Sequence, residues 1–228
     1  HPEQFKDSPL GRIPRGWEVE AGDDVCLRIE VGIVIRPTQY YVPRGIPMLR
    51  SANVREGGIE LSDLKFMSER DHGLMAKSAV TPGDLVTVRT GYPGTTAVIP
   101  LTLTTANCVD IIISRPGPRV LSDFLATWVN SDIGKGQVLR VQGGLAQQHF
   151  NVGEMKKLLI AVPEIGEQQR ILAGVTAADK RLRHERDEAD KLRTLKQGLM
   201  DDLLTGRVRV PISPLQPGSA AGITGGQE

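Results

Sequence analysis

This sequence is short of several things at once. It has only two cysteines, Cys26 and Cys108, with no CxxC pair and no neighbouring His pair. That excludes a disulfide scaffold and a zinc module, and leaves two reduced, half-buried packing residues in a cytosolic protein. No apolar run approaches the roughly 18–20 residues that a membrane span needs, and the opening residues have no secretory pattern. Catalytic signatures are equally scarce. There is no Asn/Asp-Pro-Pro-aromatic tetrapeptide, no Gly-rich loop between a strand and a helix, and no Walker loop. Asp63-Leu64-Lys65 and Glu154-Met155-Lys156 match half of a metal-dependent nuclease motif, but no Pro-Asp dipeptide accompanies them. The four histidines form no HxH or HxxxH pair that would ligate zinc. Nothing flanks either cysteine with activating charge. The reading is a non-catalytic chain without a metal site.

Strong charge of one sign is also missing: the net charge is +1. Its arrangement says more. Between Glu30 and Glu56 stand Arg36, Arg44, Arg50 and Arg55 with no acid, and between Asp84 and Asp110 the only charge is Arg89. Between Asp132 and Glu154 lie Lys135, Arg140 and His149, again without an acid. Such windows suit a surface that tolerates phosphate, although chance spacing on loops would look the same. Reading base edges takes Arg for guanine and Asn or Gln for adenine, with Ser, Thr and Tyr helping on phosphates. Those types concentrate in the same three windows. The first offers Arg50, Ser51, Asn53 and Arg55, and the second Arg89, Thr90, Tyr92 and Thr95 beside turn glycines. The third offers Lys135, Arg140, Gln142, Gln147, Gln148 and His149. Each window has a plainer reading too: a strand-end ion pair, a hairpin turn, an exposed polar loop. Their shared chemistry is what points to nucleic acid.

The first 160 or so residues are short β-branched runs punctuated by Gly and Pro: VGIVI (31–35), IPMLR (46–50), DLVTVRT (84–90), TAVIPLTL (96–103), VDIIIS (109–114) and LLIAV (158–162). This predicts a twisted, mostly antiparallel β-rich domain. VLSDFLATWVNS (120–131) has helical spacing instead, so the fold class is α+β. Pro163 marks a boundary, and no proline follows until after Leu204. Val175, Leu182 and Ala189 repeat every seven residues and interlock with Leu192 and Leu199, the seam of a coiled coil. Leu195 blurs the register and Leu203 resumes it. A continuous helix of this length, at about 1.5 Å per residue, makes a rod of roughly 60 Å whose leucine stripe needs a partner helix. The expected organisation is a recognition domain over 1–162, a long helix over 163–206, and a short extended segment with a disordered tail over 207–228.

The order of FKDSPLGRIPRGWEV (5–19), MLRSANVREGGI (48–59), TPGDLVTVRTGYPG (81–94), PEIGEQQRI (163–171) and LKQGLMDDLLTGRVRV (195–210) resembles the specificity subunits of type I restriction–modification systems. The resemblance runs to about Val210. It implies that 1–162 is a target recognition domain for double-stranded DNA and that 163–206 is a spacer helix. It also implies antiparallel pairing of that helix with a second copy or second half, and docking of methyltransferase subunits, with restriction subunits as a further partner. The chain would bind no cofactor, S-adenosylmethionine belonging to the methyltransferase subunits, and would work in the cytoplasm of a prokaryote without contact to a membrane. Family members carry two recognition domains and two spacer helices, whereas one of each is found here. A start at His1 fits processing or truncation; the expectation is a half that pairs with itself and reads an interrupted palindrome. A different class of reading is an assembly adaptor, with a coiled coil and a peptide-binding β-rich head.

Overall fold

The computed structural model describes residues 2–142 and 149–209. The chain divides into two compact units, His1–Val175 and Thr176–Glu228. The first unit opens with the hairpin β1 (Phe5–Ser8) and β2 (Gly11–Pro14), then β3 (Glu18–Ala21), the single turn α1 (Gly22–Val25) and β4 (Cys26–Val31). Short strands follow: β5 (Ile46–Leu49), β6 (Val54–Arg55), β7 (Gly58–Ile59) and β8 (Lys65–Met67). Helix α2 (Glu69–Leu74) leads to β9 (Ala79–Val80), β10 (Leu85–Val88), β11 (Thr96–Val98), β12 (Ala106–Cys108) and β13 (Ile111–Pro116). Three helices, α3 (Ser122–Asn130), α4 (Asp132–Gln142) and α5 (Val152–Lys157), precede β14 (Leu159–Val162) and the long α6 (Ile165–Leu204). The fold is α+β.

Two four-stranded sheets organise this unit. One runs β11-β10-β13-β4 and is antiparallel throughout; the other runs β8-β5-β12-β9, with β12 parallel to β5. Strand alternation decides the core. Val86, Val88, Ile111 and Ile113 point to one face and join Leu49, Val80, Ala106 and Cys108 of the second sheet. Leu85 and Ile112 point to the other face, where they meet Phe124, Leu125 and Val129 of α3, Val138 of α4 and Met155 of α5. Both faces of β10 and β13 are therefore covered, which is why these strands are near-continuous apolar runs rather than alternating ones. Between β10 and β11 Thr87 pairs with Thr96, their buried hydroxyls 2.8 Å apart. Asp84, also buried, accepts two hydrogen bonds of 2.7 Å from the Arg115 guanidinium, a bidentate pair joining β10 to β13.

The expected strands shift where the backbone demands it. VGIVI is not a strand: pairing falls on Cys26–Val31, and only an Ile33–Val109 bridge lies beyond it. A Cβ on Gly32 would lie 2.3 Å from the Cys108 carbonyl oxygen, so the chain hugs β12 there and then turns Val34 and Ile35 out to solvent. Pro100 curtails the run after Thr96, and Asp110, at φ 50°, delays the run after Val109 to Ile111. Both cysteines are buried rather than half-buried, and unbridged. Burial, helped by Asp23, pushes the Cys26 thiol up to about 12, and burial pushes the Cys108 thiol up as well.

Helix α6 begins immediately after Pro163, and its first turn is tied down by one residue. Gln168 is fully buried. Its Nε2 donates to the Arg119 and Pro163 carbonyls at 2.9 and 2.8 Å, and its Oε1 accepts from the Leu121 amide at 2.8 Å. Leu121 is the N-cap of α3 and has no side-chain cap of its own, so the glutamine satisfies a helix-end amide from another element.

In the second unit the described residues of α6 carry an exposed apolar face. Leu182, Leu192, Leu195, Leu199 and Leu203 are all solvent-exposed, Leu192 at 64% and Leu199 at 51%. Val175, at the end of the first unit, is exposed too, and Ala189 is half-buried. Ion pairs Glu188–Lys191 and Asp190–Arg193 line the polar side, and Glu185 lies 3.9 Å from Arg181. The helix ends at Thr205–Gly206, where Gly206 takes φ 73° and its amide returns to the Leu203 carbonyl. The tail expected beyond Arg209 lies outside the described residues.

Replacing Gln168 with Ala orphans the Leu121 amide and two carbonyls in a buried place. We expect a loss of about 2–4 kcal/mol, read as a lower urea midpoint with an unchanged slope.

Candidate nucleic-acid interface

The three windows meet. Hairpin β6–β7, the Ser51–Asn53 turn before it and the β10–β11 loop form a cleft of about 480 Å³, lined by Ser51, Ala52, Val54, Arg55, Glu56, Val88, Thr90, Tyr92 and Thr95. The third window closes on the first two from the helical side. Lys135 of α4 pairs with Glu56 at 2.5 Å, and His149 Nδ1 hydrogen-bonds the Thr90 hydroxyl at 2.9 Å. The Phe150 amide donates to the Arg89 carbonyl at 3.1 Å, fixing the same loop from below.

What the windows present differs from what their composition suggests. Sequence shows them free of acid, but in space three acids from their edges and beyond fold back onto their cations. Arg50 donates to the Asp63 carboxylate at 2.9 Å and to the Asp63 carbonyl at 2.7 Å. Arg89 pairs with Asp110, which terminates its window, and Lys135 pairs with Glu56. Lys65 and Arg50 together hold the Asp63 carboxyl below the ordinary carboxylate range. That carboxylate, half of a nuclease-like motif in sequence, is thus occupied by two cations. Among the described residues no cluster of three or more His, Cys, Asp and Glu is placed to hold a metal ion.

Asn53 is removed from the candidate surface altogether. At 1% exposure its Oδ1 accepts from the Arg50 amide, and its Nδ2 donates to the Glu60 and Ser62 carbonyls. It builds the turn and has nothing left for a base. Gln137 is likewise structural, bonding both the amide and the carbonyl of Leu159. Among the described residues Arg55, whose Nη1 donates to the Val54 carbonyl, and Arg140, whose Nε donates to the Gly136 carbonyl, form no salt bridge, and neither do Arg36 and Arg44 of the first window. Gln142 ends α4, while Gln147 and Gln148 lie outside the described residues.

The loop between β10 and β11 is the most built-up part of the face. Gly91 and Gly94 both take left-handed conformations, at φ 89° and 87°. The Gly94 amide donates to the Val88 carbonyl at 3.0 Å and the Thr95 amide to the Tyr92 carbonyl at 3.2 Å. A Cβ on Gly94 would lie 3.1 Å from Val138, so the loop rests against α4. Asn130 at the end of α3 clasps Thr96 through both its amide and its carbonyl. Sequence composition picked out the loop but missed α4, which supplies its backing. Gly134 and Gly136 are poor helix formers, yet Gly134 is where α4 passes close to the end of α3, a Cβ there lying 2.4 Å from the Trp128 carbonyl oxygen.

No family model matches the chain. It is similar to the specificity subunit of the type I restriction enzyme MjaVIII of Methanocaldococcus jannaschii, with 24% identity over 213 residues covering 90% of this chain and 49% of that one. It is also similar to the putative MjaX specificity subunit of the same organism, at 20% identity with 89% and 49% covered. In structure it is similar to the HsdS subunit from Thermoanaerobacter tengcongensis, with a TM-score of 0.62, 19% identity, and 88% and 47% of the chains covered. A chain from a study of complex assembly and conformational transition in a type I R-M system gives a TM-score of 0.66, at 18% identity with 88% and 48% covered. The chain spans about half the length of the curated relatives it matches. In sequence and in fold, then, nearly the whole of this chain is similar to about half of a type I restriction specificity subunit.

Proposed function

We propose that this chain is a non-catalytic DNA-reading subunit of a type I restriction–modification complex. Its first unit reads one half of a bipartite target, and its long helix docks methyltransferase subunits and pairs with a second such helix. The observation that carries the reading is the convergence, on one face, of the three windows rich in Arg, Thr, Tyr and His around a braced hairpin loop. The exposed leucines of α6 support the assembly role, since an apolar stripe of this kind is stable in water only against another surface. Phosphate contact falls to Arg55, Arg140, Thr90 and His149, with Arg50, Arg89 and Lys135 contributing when DNA displaces their acids. S-adenosylmethionine belongs to the methyltransferase partner. The adaptor reading, a β-rich head that holds a peptide, has the same helix but no use for the clustered cations, and its binding would not fall steeply with salt.

The deciding experiment compares genomic methylation in the source cell with and without this gene. Loss of one bipartite motif is expected, and a methylome unchanged by the deletion would overturn the DNA-reading function. A palindromic motif marks a self-paired chain and an asymmetric one marks half of a two-unit subunit.

Leu192→Asp combined with Leu199→Asp should abolish assembly, measured by sedimentation and by co-purification with methyltransferase subunits, while the first unit stays folded. Complex formation by that double variant refutes the coiled-coil role.

Glu56→Gln releases Lys135 for phosphate. Non-specific duplex binding should tighten several-fold at low salt, and the slope of log K against log salt should steepen by about one. An unchanged slope would mean that Lys135 does not face the backbone.

A further inference from the structure

Tyr92 stands at the tip of the β10–β11 loop with 84% of its surface exposed, and no side-chain hydrogen bond engages its hydroxyl among the described residues. Single exposed apolar side chains are common and need no explanation. Leu101, at 85%, is one in this same unit. What distinguishes Tyr92 is its mounting. Two left-handed glycines flank it, two backbone hydrogen bonds close the loop beneath it, and Val138 and His149 brace the loop from α4 and the segment following it. The ring is held out on a rigid tip, and ordering it costs little because a tyrosine has only two side-chain torsions. Around it the residues change character in a definite way. Thr90 and Arg55, which suit phosphate, line the cleft together with Tyr92, and His149 hydrogen-bonds Thr90; among the described residues that line the cleft, Tyr92 is the one aromatic side chain.

From this mounting we infer that Tyr92 is a specificity-determining residue, whose ring is carried past the phosphates to make apolar contact with base edges in the groove, a thymine methyl above all. The inference rests on the DNA-reading function proposed above. A ring in that position adds discrimination between sequences without adding charge, so its removal should leave non-specific binding and its salt dependence as they were. Truncation opens no buried cavity, because most of the side chain is already in solvent.

The test is base-resolution methylome sequencing of the source cell carrying the wild-type chain, Tyr92→Ala, Tyr92→Phe or Leu101→Ala. Tyr92→Ala should lower the ratio of motif to off-motif methylation about tenfold, the cost of about one mismatched base pair, with the motif relaxed at one or two adjacent positions. Tyr92→Phe and Leu101→Ala should match the wild type. If Tyr92→Ala keeps the full motif at the wild-type ratio, the inference is overturned while DNA reading stands. If Tyr92→Phe falls as far as Tyr92→Ala, the hydroxyl rather than the ring makes the contact, and the inference is likewise overturned. A wild-type chain on which no motif depends removes the DNA-reading function, and this inference with it.

Discussion

One buried amide holds the body of the first unit to the start of the long helix. Gln168 spends both of its amide protons and one acceptor site on three backbone groups, one at the start of α3 and two in the segments that lead into α3 and α6. A buried amide that found only one or two of these partners would cost more than it returned. The geometry is therefore close to all-or-none: either the Arg119–Leu121 segment and the Pro163 turn are both in place, or the glutamine is a liability. Since α3 covers one face of the β10–β13 sheet and its last residue, Asn130, clasps the base of the reading loop, this one side chain lies upstream of the whole candidate face.

The sheet beneath that face is buried on both sides, which makes its hairpin a stiff support. Loops on such a support can carry side chains at defined positions without a core of their own. Their electrostatics are restrained for a related reason. Each buried or half-buried guanidinium near the core needs an acid, so Arg89 takes Asp110 and Arg50 takes Asp63. A face that looks basic in sequence has much of its charge balanced in space, and under the proposed function affinity comes from shape and direct contacts to bases as well as from the cations left over.

Much of this was legible in the residues, for reasons that can be named. The IIIS and LVTV strands show because burial on both faces demands continuous β-branched residues; the amphipathic α3 and the leucine series of α6 show because their periods are helical. The strand expected at VGIVI moved to Cys26–Val31, whose Arg28 and Glu30 disguise it. Helix α4 was hidden by its glycines. The candidate windows were visible by composition, but composition cannot distinguish Asn53, consumed by its own turn, from Arg55, which faces solvent. Nor does it show Glu56 and Asp63 folding back, because pairing across 79 or 13 positions is a tertiary fact. The segment PEIGEQQRI (163–171) carries part of the family resemblance, yet nothing in the string says that its Gln168 is a three-way clamp.

The hairpin tip has a further consequence, for evolution rather than binding. Its shape is set by two glycines and by main-chain hydrogen bonds, so the identity of the residue at the apex contributes almost nothing to keeping that shape. If the proposed function holds, a lineage under pressure to change its target could exchange the apex residue, and its exposed neighbours, without first re-solving the fold. The frame is fixed and the type is movable, and retargeting becomes a matter of few substitutions with little stability at stake.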